Sequence, residues 1–281
     1  MSRNREFSTP HDLDEPTRQA LYDLFLVLAD TKHLLGLRYG EWLGAPAIEA
    51  SIASVAMAQD EFGHARLFYG LLREFHEAGI PEREEVPSEY RNFEGLDRVW
   101  DSWLDFIAAN VLVDGALSVQ IESLQNSSYV PVRRMVAKIL QEEAFHHQHA
   151  RGWLLRLARE GAKPKAELEK ALKRIWEPLL QWLGRPGSEH ERALVEAGIQ
   201  DTDSEGLRAR FIERFGPLLI EEAGLDLPLS SDAITGQWVL GTALSWEDWD
   251  DAFRRRSRTG PDPETFRQIE SFRKHEYPVG S

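Results

Sequence analysis

Two stretches decide how this sequence is read: Gln59-Asp60-Glu61-Phe62-Gly63-His64 and Glu142-Glu143-Ala144-Phe145-His146. Each sets an acidic residue directly before a Glu-x-x-His. At 3.6 residues per turn, a spacing of three brings Glu and His onto one helix face, where both can reach one metal ion from the same side. One such motif arises often by chance. Two of them, on two long helices, form a pattern.

The surrounding sequence is helical. Apolar residues recur at Leu21, Leu24, Phe25, Leu28, Leu34, Leu35 and Leu37, which predicts a helix from about residue 15 to 43. Gly44-Ala45-Pro46 breaks it, and a second helix runs over about 47–78. Residues 80–94 are charged, hold two prolines and read as a long connection. A third helix is expected over about 96–125, a turn at Asn126-Ser127-Ser128, and a fourth helix from Pro131 to about Arg159. A fifth follows over about 165–183, with shorter helical segments near 204–223, 246–256 and 262–274 and a loop-like stretch between them. Strand alternation is nearly absent. Two helical hairpins with short turns and a longer crossover predict an all-α, ferritin-like four-helix bundle with additional C-terminal helices. The expected division is a bundle over 1–185 and a helical extension over 186–281 packing on it.

In carboxylate-bridged di-iron bundles, two helices each supply Glu-x-x-His and the other two each supply a carboxylate. Hairpin geometry points to the missing pair. Glu61 lies 16 residues after the turn centre at Ala45, and Asp30 lies 15 before it. Glu41, only 4 before the turn, would sit roughly 18 Å away along the axis at about 1.5 Å per residue. In the second hairpin Glu143 lies 14 after Tyr129 and Asp114 15 before it, whereas Glu122 is 7 before and falls about 10 Å short. Asp30 and Asp114 also lie on apolar stripes, where a carboxylate is costly unless paired or metal-bound. The expected ligand set is Asp30, Glu61, His64, Asp114, Glu143 and His146. Four carboxylates and two neutral imidazoles balance two Fe(II) ions, and oxygen and imidazole donors suit iron or manganese.

Asp60 and Glu142 are expected to accept hydrogen bonds from the outer nitrogens of the ligand histidines across the bundle. His147 is a candidate proton donor near the site. Phe62 and Phe145 read as core packing. Arg133, Arg134, Arg151, Arg156 and Arg159 make the fourth helix basic, and surface ion pairs are the favoured reading for them.

Composition narrows the chemistry further. The 281 residues contain no cysteine, which excludes disulfides, thiolate metal sites and cysteine nucleophiles. A net charge of −14 argues against a general nucleic-acid binder. The N-terminus lacks the apolar core of a signal peptide, and no stretch approaches about 18 uncharged apolar residues, so a cytoplasmic protein without a membrane span is expected.

At these same residues the sequence resembles the A/C family of bacterial phenylacetyl-CoA 1,2-epoxidase subunits. Gln59–His64, Val113-Asp114-Gly115-Ala116 and Glu142–Gln148 are similar to the catalytic A type, as are Arg174–Pro178 and Leu207–Phe211. Gly40-Glu41-Trp42 and Ala150–Leu154 are similar to the structural C type. The resemblance spans about residues 20–225. It implies metal ligands at Glu61, His64, Glu143 and His146, with Asp30 standing where the A type has a Glu, and His64 present where the C type has none. It implies a di-iron monooxygenase that epoxidises an aryl-CoA thioester, most simply phenylacetyl-CoA, with O₂ and electrons from an iron–sulfur/flavin reductase. It also implies two partners, a structural C-type subunit with a small accessory subunit. The alternatives are another substrate such as benzoyl-CoA, or a structural role without turnover. Iron storage is disfavoured by the length and elaborate C-terminal part of the chain.

Overall fold

The computed structural model describes residues 6–273. Four long helices form the bundle: α1 (Glu15–Gly40), α2 (Ile48–Glu77), α3 (Trp103–Glu122) and α4 (Val130–Arg159). α1 packs against α2 and α3 against α4, each as an antiparallel hairpin, and α2 meets α4 across the bundle. Behind them lie α5 (Ala162–Trp182), α6 (Glu189–Glu196), α7 (Ser204–Gly216) and α8 (Pro263–Arg273). α5 and α7 pack on α3, and α6 packs on α1. The fold is all-α and ferritin-like, as the sequence pattern predicts.

Local chemistry sets the helix ends. The Asp14 side chain accepts from the Thr17 N–H at 2.9 Å and caps α1, with Pro16 in its first turn. Ser102 and Asp105 form a reciprocal capping box at the start of α3. That box explains why α3 begins at Trp103 rather than near residue 96. Residues 97–101 stay in the loop, where the Asp97 carboxylate binds the Asn92 amide at 2.8 Å and pairs with Arg255.

Two other expectations change. Residues 246–256 form turns rather than a helix, with Asp248 and Arg254 at φ 57° and 48°. The loop-like stretch contains a short antiparallel hairpin pairing Leu229–Ser231 (β1) with Trp238–Leu240 (β2). Neither it nor the 8-residue α6 is among the expected segments.

The crossover and the C-terminal segment explain the burial of α1. Every residue from Ala20 to Tyr39 is buried except His33. In α3 the run from Phe106 to Ile121 is buried throughout. α3 is long and apolar enough to cross a membrane by length and composition, although Asp114 interrupts its apolar run, and 89% of that window is buried inside the bundle. Full burial of each Leu, Val or Phe contributes about 1.5–3 kcal/mol. That total offsets the several kcal/mol required for each charge taken out of water on the same helices.

Asp30 is one of those charges. Its carboxylate accepts from Tyr69 Oη at 2.6 Å, from Arg83 at 2.5 Å and from the Arg91 backbone N–H at 2.8 Å. It therefore fastens the crossover to α1. Arg91 also pairs with Asp23, and its guanidinium lies 4.5 Å from the centre of the Phe253 ring. Arg255 pairs with Asp97, and Arg38 donates to Thr265. The C-terminal segment is thus tied to the crossover and to α1.

Asp30→Ala leaves the Arg83 guanidinium buried without its anion and should cost about 3–5 kcal/mol, read as a lowered denaturant midpoint. A Cβ at Gly115 would lie 2.6 Å from the Phe215 ring of α7. Gly115→Val should therefore destabilise the α3–α7 contact by about 1–3 kcal/mol in the same measurement.

Candidate metal centre

Four helices direct polar side chains to one point in the bundle. α2 supplies Glu61 and His64, α3 supplies Asp114, and α4 supplies Glu143 and His146. All five are essentially fully buried. A side chain at Gly36 of α1 would press within 3.1 Å of Ala58 O and Glu61 Cβ, so its absence lets α2 approach α1 at the level of the site. Ligand atoms of Glu61, Asp114, Glu143 and His146 all lie within 4.8 Å of one another, and this group could hold a metal ion.

The contribution of α1 is not the expected one. Lys32, fully buried, places its Nζ 2.9 Å from Glu61 Oε1, 2.5 Å from Glu143 Oε1 and 3.5 Å from Asp114 Oδ1. Asp30 lies outside the group, bound to Tyr69, Arg83 and the crossover backbone. Glu41 pairs with Arg38 at 2.6 Å, and Glu122 pairs with Arg214 at 2.5 Å. The reason is angular. Residues two apart on a helix point about 200° apart, so Asp30 and Lys32 face nearly opposite directions. The hairpin offset measures height along the axis and is blind to azimuth. An apolar stripe cannot choose the face either, because α1 is buried almost all round.

The neighbours of Lys32 at three and four residues, Leu28, Ala29, Leu35 and Gly36, are all apolar or small and mark it as buried, but Leu26, Val27 and Leu34 stand at the same spacings from Asp30, so this pattern does not choose between the two.

The histidines are held from outside. His64 Nε2 lies 2.8 Å from Glu142 Oε2, and His146 Nε2 lies 3.4 Å from Asp60 Oδ2, each pair crossing between α2 and α4. Their inner nitrogens face the carboxylates. His146 Nδ1 is 3.3 Å from Glu61 Oε1 and from Asp114 Oδ2, and His64 Nδ1 is 3.3 Å from Glu143 Oε1. Among the described residues neither inner nitrogen has a hydrogen-bond partner, nor do Glu61 Oε2 and Asp114 Oδ1. Buried polar atoms are normally paired, and such orphans converging on one point fit a cation. The donors are hard oxygens and imidazole, which suit iron or manganese.

Three further residues escape motif spacing. Tyr39 Oη donates to Asp114 Oδ2 at 2.6 Å, and Asn110 Nδ2 donates to the same oxygen at 3.0 Å. Ser118 Oγ lies 3.3 Å from Glu143 Oε2 and 3.2 Å from His147 Nε2, so His147 reaches the centre only through that hydroxyl.

The electrostatics follow from crowding charge in a dry interior. Burial disfavours the Lys32 ammonium, but Glu143, Glu61 and Asp114 together hold its pKa above the ordinary lysine value. Burial, with Asp114 and Glu143 alongside, pushes Glu61 up to about 7 despite Lys32. Burial opposes ionisation of Asp114, yet Lys32 and His146 hold it well below the usual carboxylate range. Burial disfavours the charged form of His146, and Asp114 reverses this to about 11. Burial lowers His147.

A solvent-open cleft of about 800 Å³ between α2 and α4 is lined by Asp60, Phe62, His64, Leu67, Lys138 and Glu142, and so reaches the edge of the centre. The basic residues of α4 are largely engaged elsewhere. Arg133 pairs with Glu6, Arg151 pairs with Glu222, and Arg156 lies over the Trp153 ring. Phe145 is 48% exposed, so it does not pack in the core as expected.

Comparison with known proteins agrees with this architecture. The A-type chain of 1,2-phenylacetyl-CoA epoxidase from Escherichia coli (strain K12) is 28% identical over 230 residues, covering 77% of this chain and 72% of the relative. The C-type chain of the same enzyme is 28% identical over 216 residues, covering 75% of this chain and 85% of the relative. The profile of the family described as "Phenylacetic acid catabolic protein" matches residues 4–246, and the chain belongs to that family.

Proposed function

We propose that this chain is the metal-holding subunit of a multicomponent monooxygenase of the phenylacetyl-CoA epoxidase kind. It works with a homologous C-type subunit, an iron–sulfur/flavin reductase and a small accessory subunit. Its substrate is an aryl-CoA thioester. The observation that carries the reading is the convergence of Glu61, Asp114, Glu143 and His146, with unpaired donor atoms, inside the bundle. A chain that served only as scaffold would have no need of it. When bound, iron would supply oxygen activation with reductant-derived electrons.

The chain's own residues have separable tasks. Asp60 holds the outer nitrogen of His146 and so orients its inner nitrogen toward the carboxylates. Tyr39 and Asn110 fix one oxygen of Asp114. Glu142 and His64 stand where the α2–α4 cleft meets the centre, in position to exchange a proton with solvent. His147 communicates with Glu143 through Ser118 and is a candidate proton donor by that route.

A structural role without turnover is the second reading, and the specific observation favouring it is Lys32 among the carboxylates. Reconstitution separates the two. With reductase and partner subunits, reductase-dependent, O₂-dependent consumption of phenylacetyl-CoA or benzoyl-CoA should occur and fall to background in His146→Ala. A complex that turns over equally well with His146→Ala, yet fails without the chain, would establish the scaffold instead. Asp60→Asn should weaken metal binding by about 10- to 100-fold in a Mn(II) titration.

A further inference from the structure

We propose that Lys32 takes the place of one of two cations, and that the centre binds a single divalent metal ion through Glu61, Asp114, Glu143 and His146. This deepens the metal-holding part of the proposed function and is independent of the substrate.

Position is the first ground. The ammonium and the imidazole of His146 meet different oxygens of Asp114 and of Glu143, and both approach Oε1 of Glu61. Glu143 turns Oε1 to Lys32 at 2.5 Å and Oε2 toward His146 Nδ1 at 3.7 Å. Asp114 turns Oδ1 to Lys32 at 3.5 Å and Oδ2 toward His146 Nδ1 at 3.3 Å. His64 Nδ1 lies 3.3 Å from Glu143 Oε1, an oxygen that Lys32 holds. His146 Nδ1 shares Glu61 Oε1 with Lys32 but also faces Asp114 Oδ2 and Glu143 Oε2, which Lys32 does not hold, and it is His146 that joins the three carboxylates in the group able to hold an ion.

Charge is the second. Glu61, Asp114 and Glu143 bring three negative charges, Lys32 one positive, and neutral imidazoles none. One divalent ion brings the sum to zero, whereas two would leave an excess of two positive charges. Lys32 and the three carboxylates are at 0–1% side-chain exposure, and the partly exposed Asp60 and Glu142 reach only the outer nitrogens of the histidines, so the excess would fall on buried groups, where each uncompensated charge costs several kcal/mol. Ligand supply is the third ground. A second ion would need a carboxylate from α1, and Asp30 faces away with Tyr69, Arg83 and the Arg91 N–H on its oxygens.

The test counts metal on the full-length protein, stripped with chelator and reloaded anaerobically with Fe(II) or with Mn(II). Metal per chain is read by elemental analysis, and the Mn(II) form by electron paramagnetic resonance. The wild type should hold one ion per chain and give the spectrum of an isolated Mn(II). Lys32→Glu should hold two and give a coupled-pair spectrum. His146→Ala should lose the ion and His64→Ala should keep it, and these two variants decide the matter if Lys32→Glu does not fold. Two ions in the wild type, none, or His64→Ala emptying as fully as His146→Ala would overturn the proposal. A protein with one ion but no turnover leaves this inference standing and counts against the proposed function alone.

Discussion

The site turns on a lysine ammonium shared among three buried carboxylates. Bringing Glu61, Asp114 and Glu143 together inside a bundle is unfavourable unless positive charge accompanies them. Lys32 supplies part of that charge covalently, from a helix buried almost all round. The surrounding architecture serves this arrangement. Gly36 admits α2 close to α1, Gly115 admits α7 close to α3, and the crossover and C-terminal segment cover the rear of α1. A second buried network, Asp30 with Arg83, Tyr69 and the Arg91 backbone, locks that cover in place on the opposite face of the same helix.

This division of α1 between two polar networks gives the site its asymmetry. α2, α3 and α4 bring carboxylates and imidazoles, as expected of a bundle built around metal. α1 brings a cation. The outer nitrogens of both histidines are fastened by Glu142 and Asp60, and their inner nitrogens are left directed at the centre. The chain shares 28% identity with both the A-type and the C-type relative, and its centre combines ligand-like residues with a lysine that closes one side.

Most of the fold is legible in the sequence because its signals are local. Period-3.6 apolar patterning, Gly44-Ala45-Pro46 and Pro131 fix the ends of α1, α2 and α4 within a few residues, whereas the start of α3 is set by the Ser102–Asp105 capping box. The convergence of Glu61, Asp114, Glu143 and His146 is legible too, since motif spacing and equal offsets from a turn are both readable along one dimension. Lys32 is not, because a search for carboxylates passes over it and because height along a hairpin does not report azimuth. On an amphipathic helix the apolar stripe would supply the missing angle. α1 is buried nearly all round and offers no stripe to read. The β1–β2 hairpin and the turns at 246–256 escape for another reason, being short and shaped by contacts with distant residues such as Glu213, which accepts from the Trp238 N–H at 2.8 Å.

Anomalous diffraction from crystals of the iron-loaded wild type decides whether Lys32 and one metal ion share the site. One iron peak is expected among Glu61, Asp114, Glu143 and His146, with the Lys32 side chain still extended to Glu61 and Glu143. Two iron peaks, with the lysine displaced from the carboxylates, would contradict it.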